Sequence, residues 1–339
     1  MSVHGLPFTY PPFAAVLYVP LELLGTFGAR WVLAVVSIGC YVVVIVVCAR
    51  RLRMNLAIAA VIGLAGLAFE PFSRTILLGQ INLVLLALVV FDALVVPARY
   101  RGMLIGLAAG IKILPGALVF FLIFKREWGA VGHAVAAFAV TAAVGAVFAP
   151  RDSWLFWKGG FINLSQWGPA NMLHGDNQSL SAALMRLSRD ISPPTILVLL
   201  MSASVMALGL VAAKRQIETG NDVNGLVCIA FASLLASPIS WTHHWVWAVP
   251  ALLVLVAGRR RVAATALAAV FLTAPMWLAP RGNFVELKDN WWQTAACVSY
   301  VVVGLTYLIF FAVSRASSMT DLPVEGPSAE GGARVKPKC

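Results

Sequence analysis

Long apolar runs separated by short polar breaks dominate the chain. Many approach the ~20 residues that a helix needs to cross a bilayer. They predict about nine helical spans, at roughly 31–49, 55–70, 79–97, 128–149, 193–213, 224–240, 243–258, 262–279 and 293–314. Residues 103–124 are apolar but interrupted by Gly110, Lys112, Pro115 and Gly116. That stretch is too short for two crossings, so it is expected to form a re-entrant or broken pair of half-helices buried in protein. Residues 13–24 are short for a span and are expected to lie at the membrane interface. The expected fold class is therefore all-α and polytopic, with no internal repeat.

Composition agrees with that pattern. The chain has 339 residues, of which 60% are hydrophobic and 12% charged, about half the charged share of a soluble domain. The formal charge of +11 does not point to nucleic acid, because the basic residues sit in short clusters between apolar runs. These are Arg50–Arg53, Arg99 with Arg101, Lys125–Arg126, Lys214–Arg215 and Arg259–Arg261. Placing every cluster on the cytoplasmic side satisfies the positive-inside rule. It also puts two informative loops outside: 150–192, with Trp154, Phe156, Trp157, Phe161 and Trp167, and 280–292, with Arg281, Glu286, Lys288 and Asp289. The residues from Arg315 onward are rich in Ser, Pro, Gly and charge and read as a disordered cytoplasmic tail. Cys40, Cys48, Cys228 and Cys297 lie in apolar runs and make no disulfide framework. The opening residues lack a basic n-region, so they are not expected to form a secretory signal peptide.

Polar side chains are few enough to be weighed singly. His243 and His244 stand in Ser237–Trp247, inside a stretch, Leu226–Gly258, that lacks any Asp, Glu, Lys or Arg. They suit phosphate binding or proton transfer; the plainer reading is hydrogen bonding within an interfacial tryptophan belt. Metal binding is not expected, since no Cys or carboxylate stands at ligand spacing. Glu70, Arg74, Gln80 and Asn82 crowd one turn between two spans, where Arg suits phosphate and the amides suit sugar hydroxyls; otherwise they are an ordinary polar turn. Lys112 is an ionisable group in an apolar stretch, a functional candidate or a snorkelling side chain. Asn177 and Gln178 are candidates for sugar binding, with helix capping by Asp176 or Asn177 as the alternative. Asp92 is expected to form a structural ion pair with Arg99 or Arg101.

Five stretches taken in order resemble the membrane glycosyltransferases of the GT-C superfamily, and within it glycosyltransferase family 87. They are Phe8-Thr9-Tyr10-Pro11-Pro12-Phe13, Leu78-Gly79-Gln80-Ile81-Asn82, Ile111-Lys112 with Pro115, Asn177-Gln178-Ser179-Leu180, and Ser237-Pro238-Ile239-Ser240-Trp241 with His243-His244-Trp245. The similarity runs from about Leu6 to about Ser314, so residues 1–314 are expected to form one transferase domain and 315–339 the tail.

The resemblance implies transfer of mannose from a polyprenyl phosphate to a cell-envelope lipoglycan or glycolipid. It implies an active site on the outer face of the plasma membrane, inversion at the anomeric carbon, no cofactor, and membrane lipids as the surroundings. It also implies a phosphate group of Arg74, Lys112 and Tyr10, sugar or acceptor contacts from Gln80, Asn82, Asn177 and Gln178, and catalytic roles for His243, His244 or Glu70. Polyprenyl-phosphate arabinose as donor, or a secondary transporter with midplane binding and inverted repeats, are the competing readings. Relatives of this type carry a first span and a catalytic Asp ahead of the Tyr-Pro-Pro stretch. The expectation is that the natural reading frame extends upstream through about 20 apolar residues and such an Asp, and that the chain without them transfers no sugar; the upstream genomic sequence tests this.

The charge pattern yields a direct topological prediction. A single cysteine at position 260, in a background freed of the native cysteines, should react with an impermeant thiol reagent only after the membrane is opened. Labelling from outside intact cells would overturn the orientation.

Overall fold

The computed structural model describes residues 9–160 and 168–314. Phe161, Trp167 and the tail from Arg315 lie outside the described residues, as does the start of the Phe8–Phe13 stretch.

Among the described residues the chain is helical throughout, and its strand-like pairing is an isolated antiparallel bridge between Asn177 and Trp241. The first helices are α1 (Pro12–Glu22), α2 (Gly25–Arg51), α3 (Leu56–Gly66), α4 (Glu70–Leu77), α5 (Asn82–Leu94), α6 (Met103–Ile111), α7 (Val119–Phe124), α8 (Trp128–Phe148) and α9 (Pro150–Trp157). There follow α10 (Gly168–Leu173), α11 (Leu180–Ser188), α12 (Thr195–Glu218), α13 (Asp222–Ala236), α14 (Ala248–Ala257), α15 (Arg261–Thr273), α16 (Trp291–Cys297) and α17 (Ser299–Val313). Short 3-10 turns at Leu114–Leu118, Thr242–Trp247, Pro275–Leu278 and Val285–Lys288 join several of them.

Four helices are long and apolar enough to cross a membrane alone: α2, α8, α12, and α15 with its 3-10 extension to Leu278. Counting two bent pairs raises this to six. Their outer faces expose Trp31, Val35, Val135, Val147, Leu199 and Leu200, which is the surface a membrane protein presents to lipid. α13 is buried along nearly its whole length, from Val223 to Leu235, and forms the centre of the bundle with α14.

Two of the predicted spans are broken. The run 55–70 ends as α3 at Gly66 and turns by 61° into α4; the run 293–314 turns by 62° between α16 and α17. The second bend has a visible cause. The Gln178 side chain inserts there, donating to Cys297 O at 2.8 Å and accepting from Tyr300 N at 3.1 Å, so it replaces the helical bonds that the bend removes. The 103–124 stretch is broken at Lys112, whose backbone is extended between α6 and the 3-10 turn Leu114–Leu118.

Among the described residues Asp92 makes no ion pair. Its carboxylate accepts from the backbone N–H groups of Gly102 and Ile105, both at 2.8 Å, and so caps the N-terminus of α6 from a neighbouring helix. Arg101 pairs with Glu127 instead. Capping wins because the free N–H groups at a buried helix start need an acceptor.

α6 reaches α8 through a stripe of glycines one turn apart. A Cβ at Gly106 would stand 2.1 Å from Ala134 O, and one at Gly110 would stand 2.0 Å from Thr141 Oγ1. Close approach through small residues is how helices associate where lipid removes the hydrophobic drive between them. Gly106→Val should therefore cost at least the ~1–3 kcal/mol of an overpacked interior. Gly132→Ala, where nothing lies within 4 Å of the added atom, should leave the unfolding midpoint in detergent unchanged. Equal midpoints for the two variants would contradict this packing.

Candidate active site

The site is built around residues 237–247, which leave α13, run extended, and re-enter as a 3-10 turn. Such backbone lacks the internal hydrogen bonds of a helix, so partners must come from elsewhere. They come from three elements. Asn177 Oδ1 accepts from Ser240 N at 2.9 Å, while Gln178 N donates to Ser240 O at 2.7 Å and Thr242 N to Asp176 O at 2.9 Å. Pro238 O receives Ser179 and Ser181, both at 3.0 Å. His243 O receives Thr75 Oγ1 at 3.1 Å and Asn82 Nδ2 at 2.8 Å.

On one side of this segment lies a cationic cluster. Lys112 Nζ donates to Asn82 Oδ1 at 3.0 Å and stands 2.8 Å from His244 Nε2. It also lies 5.2 Å from the centre of the Tyr10 ring, whose hydroxyl donates to Gln80 Oε1 at 2.7 Å. When Lys112 carries its proton it has no lone pair, so His244 Nε2 is then the acceptor and Nδ1 carries the ring proton. That Nδ1 is buried with no partner among the described residues. Lys112 is half-buried, and no carboxylate pairs with it among the described residues. The cluster opens on a cavity of about 40 Å³ whose wall is apolar apart from Asn82, Lys112, Ser233 and His244.

On the other side lies a mixed-charge cluster. Glu70 accepts from Thr242 Oγ1 at 2.7 Å, Trp277 Nε1 at 3.0 Å and Tyr300 Oη at 3.2 Å, and lies 3.7 Å from Arg74 Nε. Arg74 approaches Asp176 at 3.8 Å and packs over the Trp277 ring, which Arg281 also approaches. Asp176 in turn binds His174 Nδ1.

Six of the ten candidates from the sequence therefore meet around Lys112: Tyr10, Gln80, Asn82, Lys112, His243 and His244. His243 is buried, edge-on to the His244 ring, and within electrostatic reach of both Lys112 and Arg74. Arg74 belongs to the second cluster.

Two expectations require correction. Glu70 Oε1 accepts from Thr242 and Trp277 and faces Arg74, and Oε2 accepts from Tyr300, which suits a structural carboxylate. Asn177 and Gln178 do not offer their amides to a ligand. Both are fully buried, and their side-chain donors and acceptors are spent on Met172, Pro238, Ser240, Gly175, Cys297 and Tyr300. The helix cap expected of Asp176 or Asn177 is made by Ser179, which accepts from Ala182 N.

The sequence reading missed Thr242, Trp277, Tyr300, His174 and the fully buried Arg186. Arg186 donates to the carbonyls of Leu173, His174 and Asn177 and holds the loop before α11 in shape. A lone arginine in the apolar stretch Leu180–Leu187 was the signal available for it.

A model of glycosyltransferase family 87 matches residues 8–238. A polyprenol-phosphate-mannose-dependent alpha-(1-2)-phosphatidylinositol mannoside mannosyltransferase of Mycobacterium tuberculosis is 32% identical, over 93% of this chain and 78% of its own. A protein of the same description from Mycolicibacterium smegmatis is also 32% identical. A polyprenol-phosphate-mannose-dependent alpha-(1-2)-phosphatidylinositol pentamannoside mannosyltransferase of Mycolicibacterium smegmatis is 30% identical, over 92% of this chain and 78% of its own. No solved structure matches the chain.

Removing the Glu70 carboxylate should cost stability. Glu70→Ala leaves three buried donors and Arg74 without their acceptor, a loss of about 3 kcal/mol or more, read as a lower unfolding midpoint. A fall in transfer rate at unchanged stability would restore a catalytic role.

Proposed function

The chain belongs to glycosyltransferase family 87, and from that premise we propose that it moves mannose from a polyprenyl phosphate to a mannosylated phosphatidylinositol glycolipid at the outer face of the plasma membrane. The relatives' dependence on polyprenol-phosphate mannose favours mannose over arabinose as the sugar, and the family favours an enzyme over a transporter. The proposed topology keeps nine spans, with α3–α4 and α16–α17 each counted as one bent span, and places the loops around 150–192 and 280–292 outside.

One observation carries the site assignment. Lys112 is an amine in apolar surroundings, held by neutral groups on the wall of a cavity and paired with no carboxylate among the described residues. An ammonium there is expensive unless something anionic completes it. The phosphate of the donor lipid is the anion a transferase of this family must bind. Lys112 would meet it; Asn82 and His244 would hold the ammonium in place, and the buried His244 Nδ1–H is a further donor available to the ligand. Tyr10, fixed by Gln80, would close the site beside the lysine.

The chemistry follows from that placement. The acceptor hydroxyl attacks the anomeric carbon in line as the bond to phosphate breaks, which inverts the configuration. Negative charge gathers on the leaving phosphate in the transition state. A fixed ammonium stabilises that state more than the ground state.

Lys112→Met tests the assignment. In the form that includes the expected upstream segment, transfer from polyprenyl-phosphate mannose in proteoliposomes should fall more than tenfold, about 1.4 kcal/mol of transition-state stabilisation, and free polyprenyl phosphate should no longer raise the unfolding midpoint. Without ligand the variant should be at least as stable as the parent, since an uncompensated charge has been removed. His244→Ala should lower transfer by more than tenfold with little effect on stability. A Lys112→Met protein that binds and transfers normally would place the phosphate elsewhere.

A further inference from the structure

A groove of about 610 Å³ lies apart from the donor cluster, between the start of α2 and the end of α4. Phe27, Trp31 and Ala34 of α2 and Ile76 and Leu77 of α4 give it apolar walls, and Arg30 stands among them. It opens on the surface of the bundle, where Phe27, Trp31 and Leu77 are exposed. In the proposed topology α2 runs inward from about residue 31, so Arg30 stands at the outer edge of the membrane.

The fold uses Arg30 only in part. Its Nη2 donates to Leu77 O at 2.8 Å, meeting one of the carbonyls that the end of α4 leaves free. A guanidinium has five N–H donors in a planar fork that suits phosphate. The others have no partner, and no carboxylate pairs with the group, among the described residues. Anchoring in the interface accounts for Phe27 and Trp31, whose rings meet edge to face at 6.0 Å. It does not account for an arginine fixed beside them on the wall of a groove.

The groove and the donor cluster share one turn. Gln80 holds Tyr10 beside Lys112. Gly79, the residue before it, has a φ of +63° and backs onto Arg30: a Cβ there would stand 3.8 Å from Arg30 Cγ. An anion on Arg30 would thus lie next to the donor site without sharing its cation. The donor lipid has a single phosphate, for which Lys112 is the proposed partner. Arg30 calls for a second anion, joined to an apolar chain. The proposed acceptor is such a molecule. A phosphodiester joins its acylated glycerol to inositol, and the sugars extend beyond. Its reacting hydroxyl is separated from that phosphate by sugar rings, which suits a groove beside the reaction centre rather than in it.

We propose that this groove seats the acceptor glycolipid, with Arg30 binding its phosphodiester and one acyl chain lying along Phe27, Trp31, Ala34 and Ile76. This rests on the transferase reading above. Arg30 then acts as a positioning residue: it sets where the glycan starts, and so which sugar reaches the donor.

The experiment measures binding of a phosphatidylinositol mannoside to the detergent-solubilised chain by thermophoresis, beside the shift in unfolding midpoint that polyprenyl phosphate produces. Arg30→Gln should weaken the mannoside about tenfold, as loss of a charged hydrogen bond would. Ala34→Trp, which fills the groove, should weaken it as well. Both should keep the response to polyprenyl phosphate. Lys112→Met should do the reverse, losing that response and keeping the mannoside. In the form that includes the expected upstream segment, Arg30→Gln should raise KM for the mannoside and leave KM for the donor unchanged. Unchanged mannoside binding in both groove variants would overturn the assignment. A lost response to polyprenyl phosphate in those variants would also overturn it, giving the groove to the donor's prenyl chain. Phosphatidylglycerol that competes as well as the mannoside would mean a general anionic-lipid surface. Dependence on Arg30 in the chain as given but not in the longer form would give the groove to the upstream segment. Failure of polyprenyl phosphate to stabilise the unsubstituted protein would remove the donor site, and with it the reason for giving the groove to the acceptor.

Discussion

The backbone of residues 237–244 has to find its hydrogen bonds outside itself, and most of the site follows from that need. Where water is scarce, an unpaired N–H or C=O costs several kcal/mol. An irregular stretch between two buried helices is therefore tolerated only if other elements supply donors and acceptors. Here α4 brings Thr75, α5 brings Asn82, and the loop before α11 brings Asp176, Asn177 and Gln178. Each residue that answers the need carries its neighbours along. Asn82 brings Lys112 to His244. Thr242 gathers Glu70, and with it Trp277 and Tyr300. The polar groups are concentrated in one place because the backbone there would otherwise be unpaid.

This division of labour separates residues that hold the site from residues that can act. Asn177 and Gln178 are buried and spend their side-chain hydrogen-bonding capacity on the protein. Lys112 and the Nδ1 of His244 do not. In a low-dielectric interior such a difference is large, because a satisfied polar group is nearly neutral in its effect and an unsatisfied one is costly. Unspent capacity at a cavity wall, rather than polarity alone, distinguishes the candidate chemical groups.

Much of the site was legible in the sequence for the same reason. Lys112, His243, His244 and the Gln80–Asn82 turn stand out as polar residues in apolar runs, and Asn82, Lys112 and His244 among them line the cavity. The break at Lys112 was legible too, from Gly110 and Pro115. The tertiary partners were not legible. Gln178 reads as a loop amide, and only the fold shows it filling the bend between α16 and α17. Asp92 reads as half of an ion pair, although the N-terminus of α6 lies closer than any arginine. Hydropathy detects that a run is apolar but is blind to a change in its direction, so the bends at residues 67–69 and at Val298 escaped. Gly66 and Pro71 flank the first bend and were usable signals; nothing local marks the second. Trp277 was hidden because a tryptophan at the end of an apolar run reads as an interfacial anchor.

The central claim is that Lys112 receives the phosphate of the donor lipid. A cryo-electron microscopy structure of the protein with polyprenyl phosphate bound would test it most directly. The account predicts phosphate oxygens within hydrogen-bonding distance of Lys112 Nζ, with His244 and Tyr10 beside them and the prenyl chain leaving toward the membrane. A phosphate seated against Arg74, Trp277 and Arg281, with Lys112 still bound only to Asn82 and His244, would contradict it.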